Sequence, residues 1–240
     1  MPPKYTIISV VYNAVDDVRR TIDSVINQTY KNFEYIIIDG GSTDGTLNIL
    51  NEYSESGALT YISEPDNGIY DAINKGVLLA TGEFINVIMM GDYHELTFLH
   101  KINKHLQNHD YAYSGCKCIT SRGEIKYNYC NPIQSMLDLS GMPFAHNTLV
   151  VKRDICLKYP YLLRFKYAAD FDFVCALIEN NFLGTSIPEC LSSYEVGGVG
   201  NSFESVYETY VIMKKYRILS FLSIWVLFKQ IVVTAKIKYL

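Results

Sequence analysis

Among the aspartates that fall where a turn follows an apolar run or where a helix begins, six are candidates for chemistry: Asp39, Asp44, Asp66, Asp92, Asp170 and Asp172. An ionised carboxylate accepts hydrogen bonds from hydroxyl and N–H groups, ligates hard cations, or takes up a hydroxyl proton. The neighbours decide among these. Asp39 closes the apolar run Phe33 to Ile38 and opens Gly40-Gly41-Ser42-Thr43-Asp44-Gly45-Thr46. Two glycines permit a sharp turn and Ser42, Thr43 and Asp44 offer a helix cap, the strand, turn and helix start that receives a nucleotide. The loop is neither Gly-x-Gly-x-x-Gly nor a P-loop. Its acids would repel phosphate oxygens, so it is expected to hold the nucleoside through hydroxyl and N–H groups. Asp92 ends the buried run Phe84 to Met90 through Gly91. Ligands of α/β proteins sit beyond the carboxyl ends of strands, which makes Asp92 a site candidate, against the plainer reading of a turn aspartate.

The elements that must position these acids are legible as an alternation of strands and helices. Tyr5 to Val11 is a β-branched run without strict alternation, as for a strand covered on both faces. Asp16-Asp17 start a helix with Val18, Ile22, Val25 and Ile26 on one side. The spacing then predicts a strand over 33–38, a helix over 46–53, a strand over 59–63, a helix over 69–80 and a strand over 84–90. Glu64-Pro65-Asp66-Asn67-Gly68 reads as a turn, and Thr81-Gly82 stops the helix after it. Beyond Asp92 come a helix over 96–107, a hairpin of 111–119 with 124–129, a strand over 148–151, a helical start at 152–154 and a helix reaching Asn180 that Asp170 can cap. Gly197-Gly198-Val199-Gly200-Asn201 reads as a flexible loop.

The chain has 240 residues and a formal net charge of −4. One α/β domain with a tail is the expected organisation, and the acidic balance gives no general pull toward nucleic acid. Six cysteines lack paired Cys-x-x-Cys spacing, and nothing like a secretory leader precedes Tyr5. Reduced thiols and a cytoplasmic location are expected, with no zinc site at Cys116-Lys117-Cys118 because no second pair stands nearby. From Tyr207 to Leu240 the composition changes: Ile218 to Phe228 is almost wholly apolar and contains Trp225, then Lys229-Gln230 interrupts, and Lys236 and Lys238 follow. That pattern is too short to span a bilayer and fits an amphipathic helical tail, at a membrane interface or packed on protein, a homodimer partner included.

Ile8-Ser9-Val10-Val11-Tyr12-Asn13, Ile38 to Thr46, Ser63 to Gly76 and Ala80-Thr81-Gly82-Glu83-Phe84 together resemble family 2 glycosyltransferases of the GT-A fold, in particular short bacterial enzymes of exopolysaccharide, O-antigen and colanic acid assembly. The resemblance implies a central, mostly parallel sheet flanked by helices. Its expected layout is a GT-A domain over 1–206, with a nucleotide-sugar half to about 95 and an acceptor half from about 96, and a tail over 207–240. It implies inverting transfer of a hexosyl or N-acetylhexosaminyl group from a nucleotide-sugar to an acceptor hydroxyl, a lipid-linked glycan at the inner membrane face. A divalent metal, Mg²⁺ or Mn²⁺, would sit on the diphosphate. Carried residue by residue, Val11, Asn13, Asp39, Gly41, Ser42, Asp44, Asp66, Asn74, Lys75 and Gly91 contact the donor, Asp92 holds the metal, Asp170 is the general base with Asp172 its substitute, and His146 meets substrate. Lys75 also reads as a solvated helix charge, and His146 as a structural histidine. Met89-Met90-Gly91-Asp92 departs from the family's usual acidic pair and leaves His94 or Glu95 as helpers. Thioethers do not ligate Mg²⁺, and a non-catalytic nucleotide-sugar-binding domain is the alternative this substitution supports.

Overall fold

The structure is a computed structural model describing residues 5–120, 122–133, 135–136, 139, 141–195, 202–218 and 231. Strands β1 (Tyr5–Val11), β2 (Phe33–Asp39), β3 (Thr60–Ser63) and β4 (Phe84–Met89) lie parallel in the order β3-β2-β1-β4. Ile8, Val10, Ile36 and Ile38 enter the core on one face of the sheet, and Ile7, Tyr35 and Ile37 the core on the other. Burial on both faces is the reason these strands show no polar alternation. Helices α1 (Val18–Ile26) and α2 (Thr46–Glu55) cover the second face, and α3 (Ile69–Leu79) the first. A Cβ on Gly76 would stand 2.5 Å from Ile8 Cγ2, so a glycine there lets α3 close onto β1.

Beyond Asp92 follow β5 (Tyr93–His94), α4 (Phe98–His105), β6 (Tyr111–Ile119), β7 (Ile125–Asn128), β8 (Val150–Lys152), α5 (Arg153–Lys158), α6 (Ala169–Glu179), β9 (Gly184–Glu195) and α7 (Phe203–Lys215). They extend the sheet from β4 as β8-β6-β9-β5, with β7 on β6. The sheet is therefore parallel through its first four strands and mixed beyond, because β8 runs antiparallel to both β4 and β6 and β5 antiparallel to β9. The expected hairpin forms, with Cys116 opposite Asn128 and Ile119 opposite Ile125. Two strands escape the sequence patterns. β9 carries Pro188 inside it, which argues against a strand, but β6 pairs Ser114 with Ile187 and Gly115 with Cys190, leaving Pro188 in a bulge where a missing N–H is harmless. β5, two residues long, is too short to leave a period.

Helix α7 crosses the expected boundary at 206/207 and buries Val206, Ile212 and Met213 in the core. Its Glu208 accepts from the backbone N–H of Lys166 and Tyr167 at 2.8 Å and of Ala168 at 3.0 Å. Residues 207–218 thus pack with the domain rather than as a separate tail. The expected glycine loop at 197–201 and the tail beyond 218, Ile231 apart, lie outside the described residues. Among those, no helix is long and apolar enough to cross a membrane.

Candidate active site

The parallel strands end on one edge, and register places Val11, Asp39 and Ser63 side by side there. Asp39 is fully buried. Its Oδ2 accepts from Gly41 N–H and Ser42 N–H, both at 3.0 Å, and from Ser63 Oγ at 2.7 Å, while Ser42 Oγ donates to Oδ1. The Val11 carbonyl accepts from Gly40 N–H at 2.9 Å. Asp39 is therefore committed to building the turn. Asn13 (φ 48°) ties the first loop to the second: its N–H donates to Ser42 Oγ at 2.8 Å and its Oδ1 accepts from Thr43 N–H at 2.8 Å. Asp44 accepts from Val15 N–H and Thr46 N–H, each at 3.0 Å, and its hydrogen bond from the Thr46 hydroxyl leads the causes that hold its carboxyl below the usual range.

The carboxylate facing outward beside this turn is Asp66. A Cβ on Gly40 would lie 2.6 Å from Asp66 Oδ2 and 3.5 Å from Tyr12 Cδ2, so the bare glycine leaves room for both side chains over the loop. Tyr12 is 65 % exposed. An open aromatic face beside an acceptor carboxylate can stack a planar base and accept its N–H. Two further residues expected at the donor are engaged elsewhere. Asn74 exchanges two hydrogen bonds with the backbone of Tyr161, at 2.9 and 3.0 Å, and Lys75 pairs with Glu64 at 2.8 Å and donates to the Pro65 carbonyl at 3.0 Å. They fix the turn and the neighbouring loop around α3.

At the end of β4, Gly91 takes φ 98°, and the turn is held from α1. Thr21 Oγ accepts from Gly91 N–H at 3.0 Å and donates to the Asp92 carbonyl at 2.7 Å; Arg20 reaches the Gly91 carbonyl at 2.7 Å and Glu195 at 2.6 Å. Asp92 Oδ2 accepts from Asn147 Nδ2 at 2.9 Å. Burial pushes its carboxyl up to about 7, against the opposing pull of that hydrogen bond and of Arg20. Asn147 Nδ2 also faces the Ser193 carbonyl, so two acceptors fix the amide's orientation and leave Asn147 Oδ1 buried without a partner, as is Ser193 Oγ. No group of three His, Cys, Asp or Glu side chains able to hold a metal exists among the described residues. Mg²⁺ and Mn²⁺ are commonly held by one or two carboxylates with the rest supplied by phosphate and water, and Asp92 beside two unpartnered buried oxygens fits that donor set.

The expected helpers do not join it. His94 is buried, stacked on Phe98 at 3.9 Å, with Nδ1 on Ser192 Oγ at 2.7 Å and Nε2 on Asn86 Oδ1 at 2.9 Å. Burial lowers its pKa to about 3, so it stays neutral. Glu95 pairs with Lys117. Asn86 in turn donates to the Asn147 and Leu149 carbonyls, at 3.0 and 2.9 Å, and so locks the backbone behind Asn147.

Asp170 stands in the first turn of α6, half-buried. Its Oδ1 accepts from Tyr70 Oη at 3.1 Å and from Phe171 N–H at 2.9 Å. Tyr70 stacks on Tyr161 with ring centroids 5.7 Å apart, and Tyr161 Oη lies 2.8 Å from His146 Nε2. Burial lowers the His146 pKa, so a neutral imidazole completes this row. Asp172 departs from its expected place: its carboxylate accepts from Lys215 at 2.7 Å and faces α7, because two positions along a helix turn a side chain to the far side. Asp92 thus bonds Asn147 directly, and Asp170 is linked to the neighbouring His146 through the Tyr70–Tyr161 pair. Sequence patterns had no hold on Tyr12, Tyr70, Asn147 or Tyr161; adjacency to Asn13 and His146 was the available signal for the first and third.

A model of the family described as glycosyl transferase family 2 matches residues 6–148. A PGL/p-HBAD biosynthesis glycosyltransferase of Mycobacterium bovis is 29 % identical over 218 residues, 83 % of this chain and 80 % of its own length. Among solved structures, S. aureus TarS 1-349 in complex with UDP-GlcNAc aligns with a TM-score of 0.73 at 18 % identity, covering 89 % of this chain and 65 % of that one. The mannosyltransferase PcManGT of Pyrobaculum calidifontis, solved with GDP-Man and Mn²⁺, aligns with a TM-score of 0.69 at 15 % identity, covering 98 % of this chain and 76 % of its own. The chain spans just under two thirds of the TarS fragment. The GT-A architecture is shared, and with the family model covering more than half of its length the chain belongs to glycosyl transferase family 2.

Proposed function

We propose that the chain is an inverting glycosyltransferase moving a sugar from a nucleotide diphospho-sugar to an acceptor hydroxyl. The observation that carries this reading is that one short segment, His146-Asn147, ties together two acids from different halves: Asp92 at the end of β4 bonds Asn147, and Asp170 at the start of α6 is joined to His146 through Tyr70 and Tyr161. Asp170 takes the acceptor's proton as its oxygen attacks the anomeric carbon, and the diphosphate leaves from the opposite face, so one displacement inverts the centre. Tyr70, buried and hydrogen-bonded to Asp170 Oδ1, orients that carboxylate. A divalent cation at Asp92 would neutralise charge on the departing diphosphate. Tyr12 and Asp66 take the nucleobase, while Asp39, Asn13, Ser42 and Asp44 shape the loop that presents them.

Donors of the kind seen with the structural neighbours, UDP-GlcNAc and GDP-Man, define the first series to try. The acceptor we propose is a lipid-linked glycan of bacterial surface polysaccharide assembly, on the strength of the apolar, lysine-bearing sequence after residue 218. A thermal-shift series of UDP-, GDP- and dTDP-sugars with and without Mn²⁺ finds the donor, since a ligand of the native state raises its melting temperature. With that donor, Asp170→Asn is expected to lower turnover by about 10²- to 10⁴-fold while donor affinity and melting temperature hold. Near-normal turnover would refute the assignment.

A further inference from the structure

Helix α7 presents Tyr207 and Tyr210 to solvent, 67 % and 41 % exposed, and Lys214 continues the same side at helical spacing. Glu208, on the flank of this stripe, holds the segment 166–168 by three backbone hydrogen bonds. That segment brings Leu163, 49 % exposed, and the exposed cations Arg164 and Lys166 up to the helix. Lys214 lies six residues from Glu208, about 9 Å along the axis. Arg217, also exposed, ends the stripe; of the acids nearby Glu208 is spent on the three amides, Asp172 is paired with Lys215, Glu204 stands at the other end of α7, and Glu179, exposed on α6, lies near Tyr216 and offsets one of the four cations Arg164, Lys166, Lys214 and Arg217. In a chain of net charge −4, this is a local basic surface studded with tyrosine and leucine.

The same segment walls a cavity of about 310 Å³ lined by Asn67, Tyr70, Leu163 and Lys166 among others. Tyr70 is the donor to Asp170, so the rim of the basic surface is also the rim of the cavity beside the candidate base. We infer that this face of α7, with the 163–166 segment, seats the protein on an anionic lipid bilayer and turns the cavity toward the headgroup plane. Cations beside amphipathic aromatic rings are the composition that favours a bilayer interface: the cations meet anionic headgroups and the rings sit at their level. Continuity with the cavity singles out a bilayer, because an acceptor carried on a lipid would present its hydroxyl at that mouth. The choice of a bilayer from the cavity rests on the glycosyltransferase reading; the pull of the cations and rings toward one does not.

Co-sedimentation of the full chain with phosphatidylcholine vesicles, with and without phosphatidylglycerol, tests this. Binding is expected with the anionic vesicles, weakened by high salt and absent with phosphatidylcholine alone. Each cation at such a surface contributes about fivefold, so Arg164→Glu/Lys166→Glu/Lys214→Glu is expected to lose at least about 100-fold in partitioning. Tyr207→Ser/Tyr210→Ser, which leaves the charges in place, is expected to weaken binding as well. Melting temperature and the nucleotide-sugar thermal shift, measured on the same variants, should match those of the parent chain. Parent-like binding by the triple variant would place any attachment in residues 219–240 and overturn the inference, as would a parent chain that ignores both vesicles. Vesicle binding that survives alongside failure of every nucleotide-sugar would sink the glycosyltransferase reading and leave the surface standing.

Discussion

Replacing Asp92 by asparagine should make the metal-free protein more stable and the enzyme worse. Burial raises the Asp92 carboxyl from 3.8 to about 7, so the folded chain binds this proton more tightly than the unfolded one. The sign follows from linkage: lowering the pH favours the folded state across that interval, and the cost of the ionised form grows from about pH 4 and is complete above pH 7. The interval caps the cost at roughly 4 kcal/mol. Residual solvent contact at a half-buried side chain screens it to about 2 kcal/mol. Asparagine keeps an oxygen for Asn147 Nδ2 and carries no charge, so in chelator at pH 8 Asp92→Asn should melt about 4–8 °C above the parent chain. The gain should shrink steadily as the pH falls toward 4. In the same variant, stabilisation by nucleotide-sugar with Mn²⁺ should largely vanish. A gain equal at pH 8 and pH 4, or a lower melting temperature at pH 8, would refute the argument that this acid is held in place against its own solvation.

Asp39→Asn can keep its oxygen on the Gly41, Ser42 and Ser63 donors but then sets its NH2 against Ser42 Oγ, and should cost about 1–2 kcal/mol, read as a fall in melting temperature that nucleotide-sugar only partly restores. Asp66→Asn keeps an oxygen for the Gly68 N–H that Oδ1 accepts and should melt like the parent chain, yet bind nucleotide about tenfold more weakly in calorimetric titration, because it sets an amide N–H where Oδ2 stands over Gly40. Lys215→Met leaves the Asp172 carboxylate, 7 % exposed, without its partner, and should lower the melting temperature by about 4–8 °C with donor affinity unchanged. Gly76→Ala forces α3 off Ile8 and should cost about 1–3 kcal/mol in denaturant titration without altering KM for the donor.

The first half of the fold was legible because strands buried on both faces and amphipathic helices alternate there with clear turn residues; β1 runs over the residues the spacing predicts, as β6 does beyond Asp92. Legibility failed where tertiary pairing overrides local signal, as with Pro188 in the β9 bulge and the two-residue β5. The site divides the same way. Motif spacing found Asp92 and Asp170, which sit at element ends, but not whether a carboxylate points outward or is consumed: Asp39 accepts three hydrogen bonds from its own loop and a fourth from Ser63 on β3, and Asp172 turns to Lys215. Tyr70 and Tyr161 were invisible because twenty tyrosines offer no spacing by which to choose two.

The loops at 12–15 and 40–46 are stitched together by side chain to backbone bonds, Asn13 with Ser42 and Thr43, Ala14 with Thr46, and Val15 with Asp44. Fixing a residue's backbone costs about 1–2 kcal/mol, and here that cost falls on folding rather than on ligand capture. On the proposed reading, a nucleotide entering beside Tyr12 and Asp66 would meet a floor already set, and its contacts would carry over almost undiminished into affinity. The amides of Asn13, Ala14 and Thr43 should accordingly be slow to exchange with deuterium before any ligand arrives, and little slower afterwards.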